Sequence, residues 1–187
     1  MNADAATLKP PVGETDHRVG RLDAPITLVE YGDYQCPHCA RAHPRVTTLQ
    51  QRFGDRLAFV FRNFPLAESH PEAYHAAEAA ESVGAHAGSD AFWTMHDLLF
   101  EHQQDDEDAL DDARLTRYAE AAGAGAELVQ EDLDDGVYAE RVREDFMSGV
   151  RSGVNGTPTF FINGTRDDGD WATVEVFAAA IEEASGR

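Results

Sequence analysis

The feature that most limits what this chain can fold into is its pair of cysteines, Cys36 and Cys39, the only two in 187 residues. Before them the apolar run 26–29 is typical of a buried strand, and after them apolar residues recur every three or four positions, as on one face of a helix. These helical positions are Ala42, Val46, Leu49 and Phe53. The pair therefore lies where a strand ends and a helix begins. The N–H groups and the partial positive charge of a helix N-terminus would stabilise a thiolate there.

Several kinds of site use cysteines at this spacing, and the local sequence favours a redox dithiol. One thiolate would attack a substrate disulfide, and the other cysteine would resolve the mixed disulfide. A zinc site needs four ligands, yet the chain has no second cysteine pair and only His43 lies nearby. Covalent haem attachment needs a histidine directly after the second cysteine, where this chain has Ala40. A structural disulfide across so short a loop would remove little entropy from the unfolded chain. We expect no metal, and no cofactor other than the Cys36–Cys39 disulfide.

The position of each cysteine on the helix predicts its role. Cys36 would lie at the first turn, partly exposed and near the positive end of the helix dipole, so we assign it as the nucleophile. Cys39, one turn further, would be shielded and would act as the resolving thiol. His38 lies between them, and a positive charge or hydrogen bond from it would stabilise the Cys36 thiolate further. Because a stabilised thiolate favours the reduced form, the disulfide form would be a strong oxidant.

One carboxylate interrupts the apolar strand that leads to the dithiol. Glu30 lies six residues before Cys36, among residues that are apolar or favour strands. One interpretation is a solvent-facing residue, as is usual for glutamate. The other is a desolvated acid beneath the dithiol, whose burial raises its pKa and which relays a proton to or from Cys39.

The charge of the chain is strongly negative, with 35 Asp and Glu against 15 Lys and Arg and a formal net charge of −20. Such a surface repels nucleic acid and anionic membranes, so we predict no nucleic-acid partner. It also fits a high-salt environment, where screening relieves self-repulsion. Only one of the 15 basic residues is lysine, Lys9. This preference for Arg fits the same environment, or it reflects genomic base composition.

The location is predicted from what the sequence lacks. No apolar run approaches the roughly 20 residues of a membrane-spanning helix, so we predict no membrane insertion. The first twelve residues have neither the basic start nor the apolar core of a signal peptide. We expect a cytoplasmic protein, although a processed exported form would have the same sequence. Two cysteines in one motif also suit a reducing compartment without structural disulfides.

The remaining pattern divides the chain into four parts. Residues 1–16 are small and polar and indicate a flexible N-terminal arm. Residues 17–66 contain an edge strand and then strand, helix and strand in a βαβ arrangement. Residues 67–152 have a helical pattern. In residues 153–187 an apolar strand, an Asn163-Gly164 turn signal, a returning strand and a last helix form a ββα arrangement. The helices expected in the third part cover 72–87, 91–102, 114–122, 127–133 and 137–150.

A proline directly precedes the apolar strand of the last part. Pro158 cannot donate to a strand ladder, so it belongs at the start of the strand or before it. A cis Thr157–Pro158 bond there would suit a tight approach to another site.

Two segments together point to a family. They are VEYGDYQCPHC at 29–39 and GTPTFFING at 156–164. Over roughly residues 15–185 the chain resembles the DsbA-like thiol oxidoreductases of the thioredoxin superfamily, and Pro37-His38 is the dipeptide of the oxidising members. Having both segments in this order is far more specific than a lone pair of cysteines.

The resemblance implies an α/β thioredoxin fold with a helical insertion between the βαβ half and the ββα half. In the family, the proline that matches Pro158 is cis and faces the dithiol. Its loop, with the residue that matches Thr157, offers backbone to an extended substrate peptide. The catalytic residues that the resemblance implies are Cys36, Pro37, His38, Cys39 and Glu30.

We therefore expect a protein thiol–disulfide oxidoreductase with oxidase-like poise, acting on protein or peptide thiols and disulfides. Exported family members carry a signal peptide, whereas this chain resembles members kept in the cytosol, where glutathione or a thioredoxin-type partner would reduce the pair. One alternative is a glutathione transferase or isomerase of the kappa type, which shares the fold but uses a single Ser or Cys. Another is a non-catalytic peptide-binding or chaperone module that uses the Thr157–Pro158 loop.

Overall fold

The computed structural model describes residues 6–186. Within them the chain forms five strands and seven α-helices. In chain order they are β1 (His17–Val19), β2 (Ile26–Gly32), α1 (Pro37–Phe53), β3 (Leu57–Asn63), α2 (Ala73–Ala87), α3 (Ser89–His102), α4 (Asp112–Ala121), α5 (Ala126–Asp135), α6 (Ala139–Arg151), β4 (Thr159–Ile162), β5 (Thr165–Asp167) and α7 (Val174–Ser185). A short 3-10 turn, Gly54–Arg56, connects α1 to β3.

The strands form one sheet in the order β1-β3-β2-β4-β5. β1 runs antiparallel to β3, and β4 runs antiparallel to both of its neighbours, β2 and β5. Asn163 and Gly164 connect β4 to β5, and their φ angles of 50° and 80° are those of a tight hairpin turn. Five helices follow one another in the chain between β3 and β4. This is the thioredoxin fold with a helical insertion, so the predicted fold class is confirmed.

The described chain forms two compact units, of which the first contains residues up to 32, 41–62 and from 147 onward. It comprises the sheet, most of α1, and α7. β2 is the middle strand and is almost completely buried, because its residues are mostly apolar on both faces. Gly32 ends this strand, and a Cβ there would overlap the ring of Phe61, so the close approach requires glycine.

A buried polar network crosses the first unit. The Arg62 guanidinium donates to both carboxylate oxygens of Asp16 at 2.8 and 3.1 Å, and to the Tyr31 hydroxyl at 3.0 Å. The Tyr31 hydroxyl also lies 2.8 Å from the Ser148 hydroxyl. Burial alone would lower the pKa of Arg62, but the bonds to Asp16 and Tyr31 more than offset this and raise that pKa above its ordinary value. The charge on Arg62 is therefore secure although its side chain is almost inaccessible.

The segment before β1 differs from the flexible arm expected for residues 1–16. Residues 1–5 lie outside the described residues, but the rest is attached to the first unit. Leu8 is buried, its N–H donates to the Gly164 carbonyl at 2.9 Å, and Thr7 forms a bridge to Thr165. The segment thus extends the sheet beyond β5. Its small polar residues hid this role because backbone hydrogen bonds, not an apolar stripe, hold it.

The second unit contains residues 33–40 and 63–146. It comprises the first turn of α1, helices α2 to α5 and most of α6. Ala76, Ala77 and Ala80 on α2 are buried, and small residues of this kind allow the neighbouring α3 to approach closely. The helices begin and end within a few residues of the predicted bounds. Asp111 caps α4 by accepting from the Arg114 N–H at 2.8 Å, so the acidic connection after α3 ends in a helix cap.

Candidate active site

The two cysteines lie at the N-terminus of α1, in the second unit. Cys36 directly precedes the helix, and its carbonyl accepts from the Ala40 N–H at 3.2 Å, which begins the helical ladder. Cys39 lies within the first turn. A thiolate on Cys36 would therefore face the positive end of the helix dipole, as the sequence predicts.

The exposure of Cys36 differs from the prediction. Cys36 was expected to be partly exposed, but it is only 3% exposed, against 0% for Cys39. The loop before the helix folds back on itself, since the Cys36 N–H donates to the Asp33 carbonyl at 3.1 Å. Pro37 and His38, between the cysteines, are exposed in the first helical turn. The dipeptide thus lies at the surface, whereas Cys36 beside it is buried.

The carboxylate of Asp33 organises the loop before the dithiol. It is buried and accepts hydrogen bonds from the Gln35 N–H at 2.7 Å, the Leu66 N–H at 2.8 Å and His70 Nδ1 at 2.7 Å. It thereby ties the loop that carries Cys36 to the loop that follows β3. This role of Asp33 was not predicted, although an aspartate after a strand is a common sign of a side chain that bonds to nearby backbone.

Two glutamine side chains hold the same loop. The Gln35 side-chain oxygen accepts from the Glu72 N–H at 2.8 Å, just before α2. Gln103, directly after α3, donates from Nε2 to the Tyr34 carbonyl at 2.9 Å and to the Cys36 carbonyl at 3.3 Å. Nothing in the local sequence distinguishes Gln103 from its neighbour Gln104, so this contact was also missed.

An aromatic cluster supports Tyr34 from α3. The Tyr34 hydroxyl lies 3.0 Å from His96 Nδ1, and its ring centroid lies 4.9 Å from that of Phe100. His96 is buried, and so is Phe92 on the same helix. The Tyr34 side chain, two residues before Cys36, is thus fixed by close packing.

The other predicted site residues belong to the first unit. Glu30 is 2% exposed in the middle strand β2, opposite Phe160 of β4, so it is the buried carboxylate of the two interpretations and not a solvent-facing one. The Thr157–Pro158 peptide bond is cis and directly precedes β4. The Thr159 hydroxyl donates to the Gly156 carbonyl at 2.7 Å and closes the turn that contains this bond. Because Glu30 pairs with Phe160 of β4, Glu30 and the proline turn that precedes β4 belong to the same sheet.

None of the helices among residues 6–186 has both the length and the apolar character needed to cross a bilayer.

Comparison with known proteins extends over almost the whole chain. A family model described as thioredoxin matches residues 13–183. The Na⁺/H⁺ antiporter NhaA 1 of Mycolicibacterium vanbaalenii is 40% identical over 174 residues, which are 92% of this chain but 27% of the antiporter. The chain thus spans about a quarter of the length of this curated relative. The name antiporter describes that longer protein as a whole.

Two solved structures have the same fold. BdbD from Bacillus subtilis, crystallised in its oxidised form, has a TM-score of 0.86 and 28% identity, with 99% of this chain and 100% of that chain covered. The thiol-disulfide exchange protein α-DsbA2 from Wolbachia pipientis has a TM-score of 0.72 and 19% identity, with 91% of this chain and 87% of that chain covered.

Proposed function

Because this chain belongs to the DsbA-like thiol–disulfide oxidoreductases of the thioredoxin family, we propose that it exchanges disulfides with proteins through Cys36 and Cys39 and is poised as an oxidase. The observation that carries the proposal is the position of the dithiol at the N-terminus of α1, with Cys36 as the residue before the first turn. A helix N-terminus lowers the pKa of a nearby thiol because it stabilises the thiolate.

The reaction in the oxidising direction consumes the Cys36–Cys39 disulfide. A substrate thiolate attacks the sulfur of Cys36, so a mixed disulfide forms and Cys39 leaves as a thiolate. A second substrate thiolate then attacks the substrate sulfur of the mixed disulfide and releases Cys36 as a thiolate. The substrate loses two electrons and two protons, and the dithiol gains them. A further turnover needs an electron acceptor that restores the disulfide.

The remaining predicted residues have proposed roles around this exchange. Glu30, buried in β2, takes up or supplies the proton of Cys39. His38, exposed in the first turn of α1, stabilises the Cys36 thiolate. Thr157 and Pro158 present backbone to the extended substrate. Support for these roles comes from the match of each residue to the two family segments at 29–39 and 156–164.

A peptide with two cysteines tests the proposal. Oxidised protein should convert the reduced peptide to its disulfide, with one disulfide formed per dithiol in the absence of an acceptor. Cys36→Ser should abolish the reaction. Reduced Cys39→Ser, mixed instead with the disulfide form of the peptide, should attack it through Cys36 and accumulate a mixed disulfide that mass spectrometry detects. Oxidation that persists in Cys36→Ser would contradict the assignment.

The same variants separate the two alternatives. A kappa-type transferase or isomerase uses one nucleophile with glutathione, so its activity would survive in Cys39→Ser. A peptide-binding or chaperone module would suppress aggregation of an unfolded protein equally well in Cys36→Ser. We expect neither result, because the exchange requires both thiols.

The compartment decides the direction of electron flow. The cytoplasmic location stays a prediction, and there glutathione or a thioredoxin-type protein would hold the dithiol reduced. An oxidase would then need a dedicated acceptor. The redox state of the pair, trapped in intact cells with an alkylating agent, would report the direction.

A further inference from the structure

We propose that Gln103 is a positioning residue for thiol–disulfide exchange, whose side-chain amide makes the dithiol more oxidising by holding the backbone of Cys36. This inference rests on the proposed function, because it concerns the reactivity of Cys36. Gln103 does not touch the reacting sulfur atoms in this account. It acts through the two carbonyl groups that it bonds.

The contact of Gln103 is buried and directional. Its side chain donates to the Tyr34 carbonyl at 2.9 Å and to the Cys36 carbonyl at 3.3 Å, and the residue is 8% exposed. Carbonyl oxygens only accept, so the nitrogen end of the amide must face them, and its two hydrogens suffice for both bonds. The Gln103 backbone is itself fixed, since its N–H donates to the Leu99 carbonyl at 3.0 Å and ends α3.

The contact fixes Cys36 from its carbonyl side. On the other side, the Cys36 N–H is fixed by its bond to the Asp33 carbonyl at 3.1 Å. With both peptide groups held, the Cα–Cβ bond of Cys36 has one direction relative to the first turn of α1. The thiolate then keeps its orientation toward the helix N-terminus, which is where its charge is stabilised.

The contact also changes the electrostatic surroundings of the thiol. Two carbonyl oxygens carry partial negative charge close to a residue that becomes negative on reduction. The amide hydrogens of Gln103 offset that charge, and a hydrogen bond of this kind is strong where water is excluded. Loss of the amide should therefore raise the pKa of Cys36, destabilise the reduced form and make the disulfide a weaker oxidant.

The neighbouring Gln104 provides a matched control, because it is exposed while Gln103 is buried. Gln103→Met removes both donors at similar size, and Gln103→Glu replaces the amide by a carboxyl. The same two changes at Gln104 alter composition and charge equally but leave the loop intact. Each variant is equilibrated with glutathione, and the thiolate absorbance of Cys36 is followed against pH.

We expect the equilibrium constant with glutathione to move about tenfold toward the disulfide in Gln103→Met, or about 30 mV in potential, with a higher Cys36 pKa. The equilibrium constant of Gln103→Glu should shift in the same direction, and the constants of both Gln104 variants should equal that of the wild type. If Gln103→Met does not fold, Gln103→Glu alone tests the positioning role. A wild-type equilibrium constant in both Gln103 variants, even with a lower melting temperature, would overturn the positioning role. A wild-type protein that does not exchange with glutathione would instead overturn the proposed function.

Discussion

Three side chains hold the backbone around Cys36, and its proposed reactivity depends on them. Asp33 and Gln35 join the loop to the segment before α2, and Gln103 joins it to the end of α3. A loop fixed in this way cannot turn the thiol away from the helix N-terminus without breaking several buried hydrogen bonds. Reactivity is thus a property of the loop as much as of the cysteine.

At the same scale, Glu30 gives a prediction about proton transfer. If its buried carboxyl takes up the proton of Cys39, Glu30→Gln should slow the attack of Cys39 on the mixed disulfide that reduced protein forms with a disulfide peptide. We expect a slowing of about a hundredfold, at the lower end of general acid–base effects. Rapid quenching followed by mass spectrometry would measure the lifetime of the mixed disulfide. Glu175→Gln, an exposed position on α7, is the control. An unchanged lifetime of the mixed disulfide in Glu30→Gln would contradict a proton relay through Glu30.

The sequence located some site residues and could not locate others. Cys36 and Pro158 stand out because a strand, a helix and a proline mark them within a few positions. Gln103 does not, because its partners Tyr34 and Cys36 lie 69 and 67 residues away and the bonds run from side chain to backbone. Asp33 has a local partner in the Gln35 N–H, but its bond to the distant Leu66 N–H left no sign in the sequence. A pattern of side-chain types carries no signal for a backbone acceptor that only the fold brings close.

At the scale of elements, β3 is tied to the segment before β1 by the buried pair Arg62 and Asp16. Their side chains are only 3% and 8% exposed. Asp16→Asn would leave Arg62 buried without a compensating charge, so we expect the free energy of unfolding to fall by about 3–5 kcal/mol. Urea denaturation measures this change.

An exposed pair provides the comparison. Arg21 and Asp23 form a salt bridge of 2.6 Å with both side chains about 70% exposed. Since water already solvates both charges, Asp23→Asn should leave the urea midpoint unchanged. If Asp16→Asn and Asp23→Asn lowered the free energy of unfolding equally, burial would not strengthen the pair of Arg62 and Asp16.

Helices α2 and α4 are joined by a pH-dependent pair. His75 Nδ1 lies 2.8 Å from an Asp112 carboxylate oxygen, and this hydrogen bond raises the pKa of His75. A raised histidine pKa stabilises the fold below its ordinary value of about 6.5, and the gain disappears as pH rises through the folded pKa. His75→Gln should therefore cost about a few tenths of a kcal/mol at pH 5.5 and nothing at pH 9. A loss of unfolding free energy that does not depend on pH would contradict a stabilising bond between protonated His75 and Asp112.

The elements themselves were largely predictable, but the N-terminal segment was not. The periodicity of apolar residues indicated every helix of the insertion, and the Asn163-Gly164 signal indicated the last hairpin. Residues such as Thr7 have no apolar stripe to mark them. Their place beside β5 depends on backbone groups that any sequence offers.

For the whole molecule, the net charge of −20 gives a prediction about salt. Repulsion among like charges destabilises the folded state, and salt screens it. The melting temperature should therefore rise as KCl is increased, with most of the gain reached once the screening length falls to about 3 Å near 1 M. A melting temperature that does not change with KCl would show that the acidic composition does not make the stability of the fold depend on salt.

The reduction potential of the Cys36–Cys39 pair, equilibrated against glutathione, tests the central claim of an oxidase-like dithiol most directly. If the helix N-terminus and the fixed loop stabilise the thiolate, we expect a potential of about −120 mV, as in strongly oxidising dithiols, together with a lowered Cys36 pKa. A potential of about −270 mV, as in thioredoxin, would mean that the dithiol is a reductant despite Pro37 and His38.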